Sequence, residues 1–533
     1  MAYWNNGAEQ IGLIGLGSNG TRALKIRARD AMLQLMARTS GIAIDQSSDT
    51  PLYQQLFDEI VRRIECGALP GEFQLPPTRD LAREVGAHRN TVVRAYYDLE
   101  AAGFVHSTVG RGTFVTPIKR GSAERPAPKE GTMPWSMLVS AAARSEIVSR
   151  KAPVPLTSSV IDLYRMQPSD DLLPHEMFRR CVDYTLRTRK AEAMRYAPAE
   201  GLLRLREAIV EDLARQGVPA TAEDIVVTSG SQQALDLVAR ALVEPGDFVA
   251  LDRLAYSGAI QALTLAHARL IRVPSDSGGI DHASLDRVDR SRLKLLYTMP
   301  NGSNPTGARM SQARRRAIVE WSQRNRVPLV EDDYVADLLL DPGAALAPLR
   351  ALDGDVLYLG TFSKRLMPGL RIGYLVTPPA LKETFTSLRR ALDLGASAMM
   401  QFALAEFLER GYLRAHLAKT LPIYRRRRDA LERALATHLP KGCAVTHAVA
   451  GVSTWIDLPE GVDAARVAQR ALVKGVNLAP SSAFATEQSV RQGLRLVFAR
   501  ETEPKLIEGA KRLAEAIEDE MKRRAANDAG ASP

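Results

Sequence analysis

Over roughly residues 159–525, short apolar runs alternate with helical stretches, and this constrains the chain more than any other feature. The runs fall at 225–228, 248–251, 269–273, 293–298, 328–331 and 356–359. Strands joined through helices pair in parallel, because a parallel return needs a long crossover. The pattern predicts an α/β fold with a mostly parallel sheet covered by helices.

Residues 50–116 follow a different pattern. Leu52, Leu56, Ile60 and Ile64 recur at spacing four, as on one face of an amphipathic helix. Gly67, Pro70 and Gly71 stop it. A short helix is expected over 79–85 and a second over 89–102, closed by Gly86 and Gly103. Phe104-Val105-His106 and Thr113-Phe114-Val115 then flank a turn at Gly110-Arg111-Gly112. Helix, short helix, turn, helix and hairpin is the order of a winged helix-turn-helix. On the second helix, Val92, Ala95, Tyr96 and Leu99 share the inward face, and Arg89, Asn90, Val93 and Tyr97 lie on the other. Arg89 and Asn90 occupy the first turn, where a recognition helix meets guanine and adenine edges. Arg79 opens the preceding helix, and Arg111 at the hairpin tip reaches a phosphate or minor groove. Nine basic and eight acidic side chains over 51–120 make no bulk basic patch, so the order of elements carries the DNA reading.

Five segments are expected: an extension over 1–48, a winged helix over 49–117, a proline-containing linker over 118–158, the α/β part over 159–525 and a tail over 526–533. The linker has room for one short helix over 135–147. Gly15-Leu16-Gly17-Ser18-Asn19-Gly20 has the form of a dinucleotide fingerprint, but no second strand follows and Asp45 lies too far along. The extension therefore reads as flexible. The apolar and charged fractions, 45% and 25%, exclude a disordered, collagen-like or coiled-coil chain. A net charge of +10 permits a polyanionic partner without naming one. No apolar run is long enough for a membrane span, and the N-terminus lacks the pattern of a signal peptide. Cys66, Cys181 and Cys443 form neither a disulfide framework nor a metal motif. The expectation is a cytoplasmic protein with buried, reduced cysteines, no metal and no membrane.

The α/β part carries groups that together suit pyridoxal 5'-phosphate, which needs a lysine, an acid for the ring nitrogen, donors to the 3-oxygen and an anion cradle. Lys364 follows the run at 356–359 within Thr361-Phe362-Ser363-Lys364. Asp332 follows the run that starts at 328, with Glu331 and Asp333 as rivals that spacing does not exclude. Asn304 and Tyr334 are candidate donors to the 3-oxygen. Ser229, Gly230 and Ser231 join a strand to a helix start that suits a phosphate, with Arg371 as a clamp. Tyr256 follows a strand and is placed to stack on the ring.

Two resemblances follow. Pro51-Leu52-Tyr53, Leu75-Pro76-x-x-Arg79-x-Leu81-Ala82, Arg89-x-Thr91-Val92-x-x-Ala95-Tyr96 and Gly110-x-Gly112-Thr113-Phe114-Val115 resemble the GntR-type winged helix. That resemblance implies Arg79, Arg89, Asn90, Thr91 and Arg111 at DNA; His88 departs from its usual Ser or Thr. Tyr196, Asn304-Pro305-Thr306-Gly307, Asp332-x-Tyr334, Ser363-Lys364, Arg371-x-Gly373-Tyr374 and Arg495 resemble class I aminotransferases of fold type I, whose smaller α/β domain follows the large one. It implies Lys364 as the aldimine lysine and Asp332 on the ring nitrogen. Ser229, Gly230, Ser231, Thr361 and Arg371 are implied at the phosphate, with Ser363 beside them. Tyr196 is implied at the neighbouring subunit's cofactor, and Arg495 at a substrate or effector carboxylate. The fusion is similar to the MocR/GabR-type regulators. It implies a domain-crossed homodimer that binds a double-stranded operator and senses an amino acid or amine through external aldimine formation at Lys364. The alternative is an active class I/II aminotransferase carrying a DNA-binding domain. Some members that sense a ω-amino acid place an arginine two positions after the stacking tyrosine; here that position is Gly258.

Overall fold

A computed structural model describes residues 50–108, 110–117, 133–144, 159–289, 291–335, 337–341, 346–485 and 491–530, together with Ile42, Ile44, Asp45, Gln46, Ser48 and Gly343. The glycine motif at 15–20, most of the extension, and linker residues 118–132 and 145–158 lie outside them. The chain divides after Pro134 into two compact units.

In the first unit, α1 (Leu52–Glu65), α2 (Thr78–Glu84) and α3 (Arg89–Ala101) precede an antiparallel hairpin of β1 (Val105–Thr108) and β2 (Gly112–Val115). The spacing-four stripe closes the core: Leu56, Ile60 and Ile64 meet Leu81, Val92, Ala95, Leu99, Val105 and Val115. Ile42 and Ile44 also pack there, N-terminal to the expected domain start. The Tyr96 hydroxyl donates to the Pro76 carbonyl at 2.8 Å, tying α3 to the segment before α2. Cys66 corrects one expectation: it is exposed, and Cys443 is half-buried, so of the three cysteines Cys181 alone is buried. Cys66 follows Ile64 by two positions and so leaves the buried face of α1.

The second unit is built on a seven-stranded sheet. In chain order its strands are β3 (Ile225–Thr228), β4 (Phe248–Asp252), β5 (Arg269–Val273), β6 (Leu293–Thr298), β7 (Leu329–Asp333), β8 (Leu357–Thr361) and β9 (Gly373–Val376). Their spatial order is β3-β9-β8-β7-β6-β4-β5. Only β9 runs antiparallel to its neighbours, and it is the strand that the alternation did not reveal. Two glycines let it in: a Cβ on Gly373 would lie 2.7 Å from the Gly360 carbonyl oxygen and 2.8 Å from the Gly230 backbone, and one on Gly360 would lie 2.1 Å from the Tyr374 ring.

Helices α4 (His175–Arg189), α5 (Leu203–Arg215), α6 (Ser231–Leu242), α7 (Ser257–Leu265), α8 (Gln312–Asn325), α9 (Lys382–Asp393) and α10 (Ala398–Glu409) belong to the same unit. A 27-residue helix, α11 (Tyr412–His438), leads to a smaller antiparallel sheet of β10 (Ala444–Thr446), β11 (Ser453–Asp457), β12 (Ala479–Pro480) and β13 (Gly493–Val497). α12 (Ala464–Val473) and α13 (Glu503–Gly530) accompany that sheet, and α13 runs through most of the expected tail. Only two short helical turns, Trp135–Leu138 and Ala141–Arg144, appear where one short helix was expected. Among the described residues no helix is long and apolar enough to cross a membrane.

Candidate functional site

A cavity of about 420 Å³ opens where β7 and β8 end and α6 begins. Open α/β sheets bind ligands at the carboxyl ends of their strands. Strand phase decides between the rival acids. Side chains alternate along β7, so Asp332 points opposite to Glu331 and Asp333. Asp332 lines the cavity, and its Oδ2 accepts from the Tyr297 hydroxyl at 2.7 Å. Its buried Oδ1 has no partner among the described residues. Glu331 is spent on the backbone amides of Leu349 and Arg350, at 3.0 and 2.9 Å. Asp333 takes the Tyr358 hydroxyl and the Asn301 amide, both at 2.8 Å. Burial pushes the Asp332 carboxyl up to about 7, the Tyr297 hydroxyl pulling it down and Asp333 adding to the rise. A cation at Oδ1 would hold it ionised.

Lys364 sits in the turn after β8 and lines the same cavity. Its Nζ donates to the Met166 carbonyl at 2.5 Å. Burial lowers its ammonium to about 8, helped by Arg495 and Arg371. Such an amine is partly neutral near pH 7, which a nucleophilic lysine requires. The next residue anchors the turn. Arg365 is fully buried and pairs with Asp212 at 2.7 Å and Asp337 at 2.6 Å. Nothing local in the sequence marks that pair of acids, which lie far along the chain.

Tyr256, Asn304, Tyr334, Thr361, Ser363, Ser231, Arg371 and Arg495 line the cavity too. Asn304 Oδ1 accepts from Arg495 Nη1 at 3.0 Å, and the Tyr164 carbonyl accepts from Nη2 at 2.9 Å. Arg495 Nε is buried without a partner among the described residues. Ser229 and Gly230 stand just behind the lining. The Ser229 carbonyl accepts from Arg371 Nη2 at 2.8 Å. Gly230 has φ +94°, and a Cβ there would meet the Arg371 guanidinium at 3.3 Å. The amides of Ser231 and Gln232, in the first turn of α6, donate to no acceptor among the described residues. Arg389, buried on α9, reaches Ser229 Oγ at 3.4 Å and was not foreseen. Tyr196 is 85% exposed and does not line this cavity.

In the first unit, Arg79, Arg89, Asn90 and Arg111 are exposed, and Thr91 is half-buried. Tyr97 and Val93 project from the same outer face of α3. His88 caps α3: its Nδ1 accepts from the Asn90 amide at 3.2 Å. The ring proton then resides on Nε2. Gln74 Nε2 donates to the Arg111 carbonyl at 2.7 Å and steadies the hairpin tip.

Residues 168–513 match the family model for aminotransferase class I and II, and residues 52–115 match that for bacterial regulatory proteins of the gntR family. The chain is 30% identical over 456 residues to the uncharacterized HTH-type transcriptional regulator YdfD of Bacillus subtilis, covering 84% of this chain and 92% of YdfD. It is 29% identical over 463 residues to the probable rhizopine catabolism regulatory protein MocR of Rhizobium meliloti, covering 86% and 92%. This chain belongs to the MocR-type regulators. The second unit of this MocR-type chain also matches LysN, the α-aminoadipate aminotransferase of Thermus thermophilus solved with N-(5'-phosphopyridoxyl)-L-leucine. The TM-score is 0.67 at 29% identity, covering 73% of this chain and all of that one.

Pyridoxal phosphate is the cofactor of this fold, and the groups present fit it. The unpartnered Asp332 Oδ1 suits a protonated ring nitrogen. The unused α6 amides beside Gly230 suit a phosphate. Position 258, where some members of the family carry an arginine, is here a glycine packed closely under two side chains that a larger residue would have to displace. A Cβ on Gly258 would lie 2.2 Å from Gln232 Oε1 and 2.5 Å from the Tyr256 ring. Among the described residues no cluster of three His, Cys, Asp or Glu is placed to hold a metal.

Proposed function

We propose that this MocR-type regulator senses a small amino compound at Lys364 and converts its binding into a change in operator occupancy. The observation that carries the reading is the convergence of Lys364, Asp332 and Arg495 on one cavity, in a chain that also carries a capped, exposed recognition helix. When bound, pyridoxal phosphate supplies an aldehyde that condenses reversibly with primary amines. The chain's own residues would do the rest. Asp332 holds a proton on the ring nitrogen. Asn304 and Tyr334 donate to the 3-oxygen, and Tyr256 stacks on the ring. Ser231, the neighbouring amides, Thr361, Ser363 and Arg371 hold the phosphate, with Ser229 and Gly230 shaping the turn behind them. Lys364 would be the amine that holds the cofactor's aldehyde, and its lowered pKa lets it shed a proton at neutral pH. Arg495 orients the effector through its carboxylate.

In the first unit, Arg89 and Asn90 read base edges, and Arg79, Thr91 and Arg111 hold the backbone of the duplex. Two such units in a homodimer would read two half-sites. Tyr196 supports the dimer, since a large exposed aromatic beside a cofactor fold suits a neighbour's cavity. The site of action is the cytoplasm, where the operator lies. The effector must differ in affinity between two conformations, because only that difference moves an equilibrium. The segment over 118–158 is the covalent tether between the two functions.

The test is an absorption titration of the cofactor-loaded chain with amines and amino acids, paired with DNA binding at fixed salt, because phosphate contacts dominate affinity. A compound that changes the spectrum lastingly and also changes DNA affinity supports sensing. If every compound that changes the spectrum leaves DNA affinity unchanged, the reading is overturned. A second reading, an active aminotransferase, draws on the full set of catalytic groups in the cavity. It expects colour lost on adding an amino acid to return on adding a 2-oxo acid.

A further inference from the structure

The proposed sensing site contains one more cation than that reading uses. Four cationic side chains line the cavity, Arg165, Lys364, Arg371 and Arg495, against a single carboxylate, Asp332. Arg371 serves the phosphate, Arg495 serves one carboxylate, and Lys364 holds the cofactor's aldehyde. Arg165 has no assignment.

Its surroundings leave its charge largely uncompensated. The nearest acid, Asp162, stands with Oδ2 at 3.5 Å from Arg165 Nε, and the guanidinium donates no hydrogen bond among the described residues. The same Oδ2 stands at 3.5 Å from Arg500 Nε, so one carboxylate faces two guanidiniums. Asp162 Oδ1 is occupied by the amides of Tyr164 and Arg165 and by the Asn477 side chain, at 3.1, 3.4 and 3.0 Å. Glu501, beside Asp162, accepts from the Asp162 amide at 3.1 Å and pairs with Lys505 at 3.2 Å. The Arg165 side chain is 36% exposed, which leaves its fork open to a ligand. Arg165 also follows Tyr164, whose carbonyl holds the Arg495 fork at 2.9 Å, so the two guanidiniums belong to one wall.

The geometry points to Arg165 as the anchor for a second carboxylate, and so to an amino dicarboxylic acid as the class of effector this cavity selects. A ligand with one carboxylate leaves a cation of that wall unmatched. A ligand with two matches both, and guanidinium–carboxylate pairs of this kind are the strong, directional ones. This inference rests on the proposed sensing site, but binding of a dicarboxylate that carries no amine tests it separately.

Calorimetry of the cofactor-loaded full chain would compare glutarate with butyrate. Absorption titrations would compare L-glutamate and L-2-aminoadipate with L-norvaline. The expected result is a preference of about tenfold or more for the dicarboxylates, the scale of one charged hydrogen-bonded pair. Arg165→Gln brings the ratio of the two affinities close to unity, and Arg165→Lys restores part of it. Equal affinities for the two classes in the wild-type chain overturn the inference, as does an unchanged ratio in Arg165→Gln. Glutarate preference with no spectral response to any amino compound upholds the Arg165 subsite and sinks the sensing reading. A spectral response without dicarboxylate preference does the reverse.

Discussion

At the scale of single residues, the acid of the cavity is set by a partner that leaves no local trace. Tyr297 lies 35 positions before Asp332, on the neighbouring strand, and gives it its one side-chain hydrogen bond among the described residues. Tyr297→Phe removes that bond and leaves both carboxylate oxygens bare. The carboxyl, already pushed up to about 7 by burial, then rises further, because the hydroxyl was the group holding it down. At neutral pH a larger share of the acid is protonated before the cofactor arrives, so ionising it to pair with a ring cation costs more. A bond to a buried charge is worth about 1.5–3 kcal/mol, so cofactor affinity should weaken by roughly one to two orders of magnitude. Fluorescence-monitored cofactor binding measures this, and unchanged affinity would remove Tyr297 from the site. Lys364, Asn304 and the carboxylate near 332 were legible because each sits in a short motif. Spacing alone did not choose among 331, 332 and 333; the resemblance named Asp332, and the physical reason, which face of β7 meets the cavity, shows only in the fold. Arg365 and Arg389 were equally hidden: the buried ion pairs of Arg365 with Asp212 and Asp337, and the reach of Arg389 to the Val227 carbonyl and Ser229, join distant elements and follow no periodicity.

At the scale of elements, α3 depends on a histidine cap. His88→Ala removes the acceptor of the Asn90 amide at the recognition helix's first turn. Loss of an N-cap costs about 1 kcal/mol, so that amide should exchange about fivefold faster in the full chain, and His88→Ser should restore protection. Equal exchange in wild type and His88→Ala would show that the cap contributes nothing. A second joint couples the segment after β7 to the smaller sheet. His447 Nε2 and Nδ1 lie 2.7 Å from Asp341 and Glu432, and Arg428 pairs with both Asp341, at 2.5 Å, and Asp429. Partial burial lowers the imidazole's pKa, but the bonds to Glu432 and Asp341 outweigh it and the net shift is upward. A raised folded-state pKa means the joint's contribution is full below the unfolded value, about 6.5, and is lost as pH climbs through the folded one. Exchange protection of residues 338–341, corrected for intrinsic rates, should therefore fall on going from pH 6 to pH 9. His447→Gln should flatten that dependence. Six strands of the main sheet were readable because apolar runs and helices alternate. β9 was not, because the connection over 362–372 that joins it to β8 carries a single short 3-10 turn, Pro368–Leu370, and no α-helix to mark a crossover.

At the scale of the whole molecule, Tyr196 tests whether two chains build one site. It is the most exposed aromatic among the described residues, with Met194 and Leu203 exposed close by in sequence, and it is absent from the lining of its own cavity. A side chain with that chemistry and no task within its own chain suits a neighbour's phosphate. If it serves there, Tyr196→Ala weakens cofactor binding about tenfold, the worth of one charge-assisted hydrogen bond. Lys364→Ala removes the covalent anchor from its own cavity alone. A dimer made of one chain of each kind then has one cavity with both defects and one with none. The intact cavity pairs Lys364 of the Tyr196→Ala chain with Tyr196 of the Lys364→Ala chain. Co-expression with two different tags isolates this mixed dimer, and cofactor titration should find one site of wild-type affinity per dimer. If Tyr196 acted within its own chain, both cavities would carry a single defect and no wild-type site would appear. That contrast separates a shared site from a self-contained one regardless of the operator or the effector.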